Sequence, residues 1–212
     1  MNRFVSFEGI EGSGKSTQIR MAGIWLEQAG IPHLLTDEPG GTPLGKKIRE
    51  LLLNIGPYSI SPRAELLLFM AARAQHVQEV IGPALKQAKL VLCDRFLDAT
   101  LAYQGYGRGL DMVIIKALHD FSANLLPDLT LLFDLPVEAG LRRAIERIQR
   151  LQDVCLEDRF EREDLSFHGQ VREGYLALAA AHPERYRIID ASGDAAEVHR
   201  EVCRELTAFM KR

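Results

Sequence analysis

Residues 9–16 carry the clearest chemical pattern in the sequence. They read Gly-Ile-Glu-Gly-Ser-Gly-Lys-Ser, a full match to the phosphate-binding pattern G-x-x-x-x-G-K-[ST]. Glycines let successive backbone N–H groups turn inward around phosphate oxygens, and a helix starting near Lys15 adds the positive end of its dipole. We expect Lys15 to reach the β- and γ-phosphates of a nucleoside triphosphate, and the Ser16 hydroxyl to bind Mg²⁺. The predicted phosphate-binding residues are Gly9, Ile10, Glu11, Gly12, Ser13, Gly14, Lys15, Ser16 and Thr17.

Two further polar segments follow strand-like runs. Residues 37–42 read Asp-Glu-Pro-Gly-Gly-Thr, and residues 93–96 read Cys-Asp-Arg-Phe. In a parallel sheet, ligands gather at the carboxyl ends of the strands, where both segments would lie. Taken alone, the first segment also fits a turn with a helix N-cap, and the second fits a salt bridge at a strand end.

The elements that must position these segments alternate along the chain. Apolar strand-like runs at residues 4–7, 33–36, 90–93, 129–133 and 186–189 are separated by helical patterns. This alternation predicts an α/β fold with βαβ units and a parallel sheet covered by helices on both faces. The first helix is predicted at 15–29 because Gly30 and Pro32 are stop signals, and a long amphipathic helical segment is predicted at 62–86.

Composition bounds the classes of protein that the chain can be. With 212 residues and 47% hydrophobic residues, it can bury one substantial core, so we predict a single domain over 1–212. A net charge of −3 provides no basic field for nucleic acid or anionic membranes. Three widely spaced cysteines, with no signal peptide or membrane-span pattern, favour a soluble cytoplasmic protein with reduced thiols.

Taken together, the motifs resemble the thymidylate kinase family of nucleoside monophosphate kinases over nearly the whole chain. The segments that carry the resemblance are FEGIEGSGKST, DEPGGT, FMAAR, CDRF, TLAYQG and EDRFERED. The resemblance implies a three-layer P-loop NTPase fold with a five-stranded parallel sheet and a small mobile lid at about 146–164. It also implies transfer of the γ-phosphoryl group from ATP to dTMP, giving ADP and dTDP, with Mg²⁺ as cofactor and a homodimer as the assembly.

The resemblance also implies roles for individual residues in binding dTMP. Phe69 would stack on the thymine ring, Arg95 would hold the acceptor phosphate, and Glu38 would help to position that group. Arg73 would meet the base or the monophosphate. Thr100 and Gln104 would form hydrogen bonds with the base edge, and Tyr103 and Tyr175 would pack against the deoxyribose. The predicted dTMP-binding residues are Glu38, Phe69, Arg73, Arg95, Thr100, Tyr103, Gln104 and Tyr175. For Phe69 and the tyrosines, a structural role in the core remains the alternative.

The expected chemistry is electrostatic, because a monophosphate acceptor is already an anionic oxygen and needs no general base. Lys15, Arg95, Mg²⁺ and an arginine from the lid would stabilise the transferring phosphoryl group. Glu8 and Asp94 would hold Mg²⁺ partly through its waters, together with Ser16. The lid candidates are Arg143, Arg147, Arg150, Arg159 and Arg162, among which the resemblance favours Arg159 and then Arg147. Glu11 stands where some family members have an arginine, which makes a lid arginine the necessary substitute.

Two alternatives remain open on the sequence. The chain could phosphorylate a nucleoside or a different monophosphate. It could also be a P-loop switch or motor ATPase, in which Asp134, at the end of a strand-like run, would be the Mg²⁺ aspartate. The six histidines are scattered without metal-ligand spacing and are expected to be ordinary surface or core residues.

Overall fold

A computed structural model describes residues 3–53, 59–150 and 159–211. The chain forms a five-stranded, fully parallel sheet with the strand order β2-β3-β1-β4-β5. The strands are β1 (Phe4–Glu8), β2 (His33–Asp37), β3 (Leu90–Asp94), β4 (Leu129–Asp134) and β5 (Tyr186–Asp190). Each strand begins at the predicted residue and continues one residue further at its carboxyl end. The predicted α/β fold class is therefore confirmed.

Helices connect the strands, and two π-helical segments occur within the described ranges. The α-helices are α1 (Lys15–Gln28), α2 (Pro43–Leu53), α3 (Pro62–His76), α4 (Gly82–Lys86), α5 (Leu97–Thr100), α6 (Met112–Ser122), α7 (Val137–Arg150), α8 (Leu165–Ala181) and α9 (Ala195–Met210). The π-helical segments are Val77–Ile81 and Leu101–Gly107. The predicted helix at 62–86 is thus helical throughout, with a π turn between α3 and α4. In the described ranges, no helix combines the length and the apolar character that crossing a membrane requires.

Helices cover both faces of the sheet, which explains why the central strands are apolar without alternation. On one face, Phe7 of β1 lies in a buried cluster with Leu26 of α1 and Val202 of α9. On the other face, Phe4 lies in a cluster with Met70 of α3 and Val171 of α8. The two clusters lie between the sheet and the helices on either face, so the structure has three layers: helices, sheet and helices.

The strand order reverses direction next to β1, and the predicted site lies there. The chain leaves β1 toward β2 and β3 on one side and later reaches β4 on the other. A crevice at the carboxyl end of the sheet is expected at this kind of switch point. Of the predicted lid at about 146–164, residues 146–150 end α7 and residues 159–164 lead into α8. Residues 151–158 lie outside the described part of the chain.

Candidate functional site

A cavity of about 650 Å³ opens at the carboxyl edge of the sheet. It joins the loop after β1 to the ends of β2 and β3 and to one face of α3. Residues on its wall include Lys15, Asp37, Phe69, Arg73, Asp94 and Arg95. The fold therefore brings together four sequence segments that are far apart along the chain.

The loop after β1 has a shape that glycine alone permits. Gly12 and Gly14 have positive φ values of 70° and 89°. A Cβ atom on Gly12 would lie 1.9 Å from the Gly140 carbonyl oxygen, and one on Gly9 would lie 2.5 Å from the Phe133 carbonyl oxygen. These contacts exclude a side chain, so the backbone of the loop stays close to β4 and α7. Helix α1 begins directly after the loop, at Lys15, and its N-terminal dipole faces the cavity.

Lys15 is buried and folded back on its own loop. Its Nζ donates to the Ile10 carbonyl oxygen at 2.7 Å and to Ser13 Oγ at 3.2 Å. Burial first, and the positive charge of Arg95 second, lower the pKa of Lys15 to about 8. The ammonium group donates to neutral oxygens within the loop, and the phosphates of a bound triphosphate would be anionic acceptors for it.

The lowered pKa of Lys15 predicts a pH dependence of ATP binding. Bound phosphates raise the pKa of a nearby ammonium group. At pH values above the pKa of Lys15 in the ATP-free protein, ATP binding must therefore be accompanied by proton uptake. We expect ATP affinity to be constant below about pH 8 and to fall by about tenfold per pH unit above it. Titration calorimetry between pH 7 and 10 measures this slope. A Lys15→Arg variant, whose guanidinium stays protonated, should show a flat profile, and an equally flat wild-type profile would contradict the prediction.

Ser16 and Asp94 form the part of the site that fits Mg²⁺. Ser16 Oγ donates to Asp94 Oδ2 at 2.6 Å, and both residues line the cavity. A hydroxyl and a carboxylate are hard oxygen ligands of the kind that Mg²⁺ prefers. Glu8 is placed differently, because it is fully buried and its oxygens accept from the Phe96 N–H and the Tyr175 hydroxyl. Burial, followed by the charge of Asp98, raises the pKa of Glu8 to about 8, and Glu8 does not lie on the cavity wall.

Arg95 lies between the phosphate loop and the rest of the cavity. Its φ of 70° is unusual for a residue with a side chain, and the Arg95 N–H donates to the Phe7 carbonyl oxygen at 3.0 Å. Nη1 donates to the Gly9 carbonyl oxygen at 3.0 Å, and Nη2 donates to Glu11 Oε1 at 3.1 Å. The guanidinium therefore faces the phosphate loop, and its backbone conformation fixes that direction.

Two tyrosines surround the Arg95 guanidinium. Tyr103 and Tyr175 accept from it at 3.1 and 3.2 Å, and the Tyr103 ring lies 4.9 Å from the guanidinium carbon. Tyr103 lines the cavity, as its predicted role at the deoxyribose requires. Tyr175 is 1% exposed and lies behind Arg95, where its hydroxyl donates to Glu8. In the structure, Tyr175 therefore orients Arg95 and does not form part of the cavity wall.

Glu11 gives the phosphate loop a buried negative charge. Although burial acts to raise it, contacts with His168, Arg95 and Lys15 lower the pKa of Glu11 to about 2. Tyr103 donates to Glu11 Oε1, and the imidazole of His168 lies 3.3 Å from Oε2. Glu11 is thus ionised at neutral pH, and it holds Arg95 beside the loop.

The residues after β2 are tied to α3 by a buried ion pair. Arg73 Nε donates to Glu38 Oε2 at 2.7 Å, and His76 Nδ1 lies 3.0 Å from Glu38 Oε1. Arg73 Nη2 also donates to Thr100 Oγ1 at 2.9 Å. In this arrangement, Glu38 fixes the direction of Arg73, and both residues line the cavity.

Aromatic and amide groups line a second part of the cavity wall, which we call the base end. Phe69, Thr100, Gln104 and Phe160 share this part of the wall. The Phe69 and Phe160 ring centroids are 6.5 Å apart, with a tilt of 43° between the rings. Apolar ring faces with a few polar groups are what a planar nucleobase requires.

The lid arginines have different surroundings. Arg147 lines the cavity and lies 3.3 Å from Glu161. Arg159, favoured on the sequence, instead donates to the Leu52 carbonyl oxygen and to Glu65 Oε2, the latter at 2.6 Å, and it is not on the cavity wall.

The remaining lid candidates do not add a further group to the wall. Arg143 donates to the carbonyl oxygens of Ala191 and Ser192 at 2.8 and 3.1 Å, and Arg162 is exposed. The side chain of Arg150 lies outside the described part of the structure. Among the lid candidates whose side chains the structure describes, Arg147 is therefore the one on the cavity wall.

Two residues near the site received no role in the sequence analysis. His76 holds Glu38 and lies 2.6 Å from Thr36 Oγ1, and Glu65 contacts Gln104, Arg108 and Arg159. Glu65 lies four residues before Phe69, on the same helical face, and this spacing was a usable signal. The signal for His76 was only its position one helical turn after Arg73.

The other predicted phosphate-loop residues have structural roles in the described conformation. Ile10 is 3% exposed and belongs to the core, and the Thr17 N–H donates to the Gly14 carbonyl oxygen at 3.0 Å in the first turn of α1. Asp134, the Mg²⁺ aspartate of the switch or motor alternative, forms a two-point ion pair with Arg172 at 2.7 and 2.9 Å. Asp134 is therefore occupied by an arginine and is not on the cavity wall.

Comparisons with known proteins agree with the fold. The family model described as thymidylate kinase matches residues 7–202. The thymidylate kinase of Syntrophus aciditrophicus (strain SB) is 56% identical over 213 residues, covering 100% of this chain and 97% of that protein. That of Citrifermentans bemidjiense is 54% identical over 195 residues, covering 92% and 86%. A crystal structure of thymidylate kinase from Ehrlichia chaffeensis superposes with a TM-score of 0.77 at 35% identity, covering 96% of this chain and 97% of that one.

Proposed function

This chain belongs to the thymidylate kinase family, and we propose that its cavity transfers the γ-phosphoryl group of ATP to dTMP, giving ADP and dTDP. The observation that carries the assignment of the site is the position of Arg95. Its guanidinium reaches the phosphate loop through Gly9 and lines the same cavity as the aromatic base end. A phosphate held by Arg95 would therefore face the end of a triphosphate held by the loop.

The chain itself provides charge and position for the reaction. Lys15 neutralises charge on the β- and γ-phosphates, and Arg95 holds the acceptor phosphate close to the γ-phosphorus. The acceptor oxygen attacks the γ-phosphorus while the bond to the bridging β-γ oxygen breaks, and no proton has to be removed. Glu11 and the two tyrosines keep the Arg95 guanidinium in this position through the contacts described above.

Ser16 and Asp94 are the residues that would hold Mg²⁺. The ion would neutralise charge on the β- and γ-phosphate oxygens. Glu8 belongs to this set in the sequence prediction, but its burial beneath Tyr175 supports a structural role for it.

An arginine near the γ-phosphate completes the charge balance in this proposal. Arg147 is supported by its place on the cavity wall. Arg159 stays a prediction, and to serve it would have to leave Glu65 and the Leu52 carbonyl oxygen. The assignment of a mobile lid at about 146–164 within a single domain of 1–212 is likewise a proposal.

An acceptor panel tests the proposed function. Protein, ATP and Mg²⁺ are incubated with dTMP, dUMP, dCMP, dGMP, dAMP or thymidine, and ADP release is measured. We expect the highest kcat/KM for dTMP. We also expect little ADP release without an acceptor, because hydrolysis requires a water molecule positioned for attack, whereas the proposed site positions an acceptor phosphate. A clear preference for another acceptor would refute the substrate assignment. Fast hydrolysis without any acceptor would favour the switch or motor alternative.

Phe69→Ala should weaken dTMP binding selectively. The substitution removes a ring from the base end of the cavity, and loss of base stacking typically costs about 1–3 kcal/mol. We expect KM for dTMP to rise accordingly while the Kd for ATP changes little, because the phosphate loop is a separate part of the cavity wall. Phe209→Ala is a matched control, since Phe209 is also partly buried but packs against the cluster on the opposite face of the sheet. Equal losses for both substrates would identify Phe69 as a packing residue.

We also propose that the protein is a cytoplasmic homodimer. Helix α6 exposes Val113, Ile114 and Phe121, at 73%, 56% and 91%. Large apolar side chains on one exposed helix favour a covered surface in the assembly. Cys93 and Cys203 are free thiols, which fits a reducing compartment. Sedimentation equilibrium of the wild type and of a Phe121→Glu variant measures the assembly, and a monomeric wild type would contradict the proposal.

A further inference from the structure

Glu65 of α3 is a buried carboxylate behind the base end of the cavity. It is 0% exposed and does not lie on the cavity wall. Arg159 Nη2 donates to its Oε2 at 2.6 Å, and Arg108 donates to both oxygens at 3.3 Å. Gln104 is a further partner of this carboxylate, since its Nε2 donates to Glu65 Oε1 at 2.8 Å.

The contact with Glu65 determines the orientation of the Gln104 carboxamide. Glu65 forms ion pairs with two guanidinium groups, and a carboxylate can only accept hydrogen bonds. The Gln104 atom facing it must therefore be the NH₂ group, because the carbonyl oxygen would place two acceptors together. Gln104 lines the cavity, and in the described part of the chain no group donates to its Oε1.

The neighbouring groups complete a pattern of one acceptor with donors beside it. Arg73 Nη2 donates to Thr100 Oγ1, so the Thr100 hydroxyl hydrogen is free to point elsewhere. Thr100 and Arg73 both line the cavity. The wall thus offers Gln104 Oε1 as an acceptor, with the Thr100 hydroxyl and Arg73 Nη1 as donors, since Arg73 Nη2 already donates to Thr100 and to the Phe96 carbonyl oxygen.

This pattern matches one class of pyrimidine. Thymine and uracil have a donor at N3–H between two carbonyl acceptors, whereas cytosine has an acceptor at N3 and a donor amino group at position 4. A Gln104 carboxamide with a fixed orientation would accept a hydrogen bond from N3–H of thymine. With cytosine, Gln104 Oε1 and the base N3 would both be acceptors, so no hydrogen bond could form between them. A buried polar group left unpaired in this way discriminates strongly between ligands.

We propose that Glu65 is a positioning residue for pyrimidine specificity: it locks the Gln104 carboxamide with its oxygen toward the base and so excludes cytosine. The inference rests on the proposed function, because it requires dTMP to bind in this cavity. Glu65 does not touch the substrate and acts only through Gln104.

Glu65→Gln tests the lock, because a glutamine at this position can donate as well as accept. The Gln104 carboxamide can then turn over and present NH₂ to cytosine N3. We expect the ratio of kcat/KM for dTMP to that for dCMP to fall by about tenfold or more. The ratio for dTMP to dUMP should not change, since both bases have N3–H. Any effect on the phosphoryl transfer step, through release of Arg159, acts on all three nucleotides and cancels in the ratios.

Two variants control for the loss of charge. Glu163→Gln removes another carboxylate that accepts from Arg108, at 2.6 Å, and has no described contact with Gln104, so its dTMP to dCMP ratio should equal that of the wild type. Glu65→Asp keeps the charge for both arginines but withdraws the carboxylate by one methylene, so the ratio should fall here too. It serves as the test if Glu65→Gln does not fold, which thermal unfolding shows.

The outcomes separate this inference from the function on which it rests. If wild-type protein prefers another acceptor to dTMP, the proposed function fails. If wild type prefers dTMP but a folded Glu65→Gln or Glu65→Asp variant keeps the wild-type ratio, only the role of Glu65 fails. The same holds if Glu65→Gln lowers the ratio equally in a Gln104→Leu background, because the effect must pass through Gln104.

Discussion

Lys15→Ala should reduce kcat/KM for phosphoryl transfer by at least about 10²–10³-fold, the usual effect of losing one group that stabilises transition-state charge in a closed site. Lys15 provides the ammonium group inside the phosphate loop, where it donates hydrogen bonds to the Ile10 carbonyl oxygen and Ser13 Oγ. Because burial already disfavours its charged form, removing the side chain should not lower stability. Initial rates with saturating dTMP and varied ATP measure the loss.

Lys86→Ala is the control for this prediction, since Lys86 is an exposed lysine at the end of α4. It should have wild-type kinetics and a wild-type unfolding temperature. A folded Lys15→Ala protein with more than about a tenth of wild-type activity would exclude a main role for the loop lysine in stabilising transition-state charge.

Arg95→Met should have an effect of similar size, but it should act on the acceptor. We expect kcat/KM for dTMP to fall by about 10²–10³-fold, because the guanidinium both holds the phosphate and neutralises developing charge. The variant should also unfold at a lower temperature, because Glu11 loses its guanidinium partner in a buried position. Steady-state kinetics with varied dTMP and thermal unfolding are the two measurements.

A double variant separates these two effects. Arg95→Met combined with Glu11→Gln no longer buries an unpaired carboxylate, so its unfolding temperature should return toward that of the wild type. Its activity should stay low, since the acceptor phosphate still lacks its cation. Recovery of activity together with stability would show that Arg95 only supports the loop and does not bind the acceptor.

The position of the site was accessible from the sequence because its signals are local. The phosphate loop is one unbroken segment between a strand and a helix, and its glycines report backbone angles that other residues avoid. Strand positions were also predictable, to within one residue, because burial on both faces requires apolar runs. The family resemblance added the substrate, which local patterns do not specify.

The orientation and pairing of individual side chains were not accessible in this way. Positions 103 and 175 are both tyrosines, yet Tyr175 lies behind Arg95 and Tyr103 lies on the cavity wall. Arg159 matched the family pattern but pairs with Glu65. No pattern in the sequence assigned a role to Glu65, although it orients Gln104. Each of these outcomes depends on which side chain approaches from another element.

The sequence by itself determined the α/β class, the bounds of the strands and the phosphate loop, because each depends on a few consecutive residues. Only the tertiary structure decided the strand order β2-β3-β1-β4-β5, the direction of Arg95 and the lock between Glu65 and Gln104. Gln104 is 39 positions from Glu65 along the chain, and Arg95 is 86 positions from Gly9. Contacts over such separations form when packed layers bring the partners together, and no local pattern of residue types contains that information.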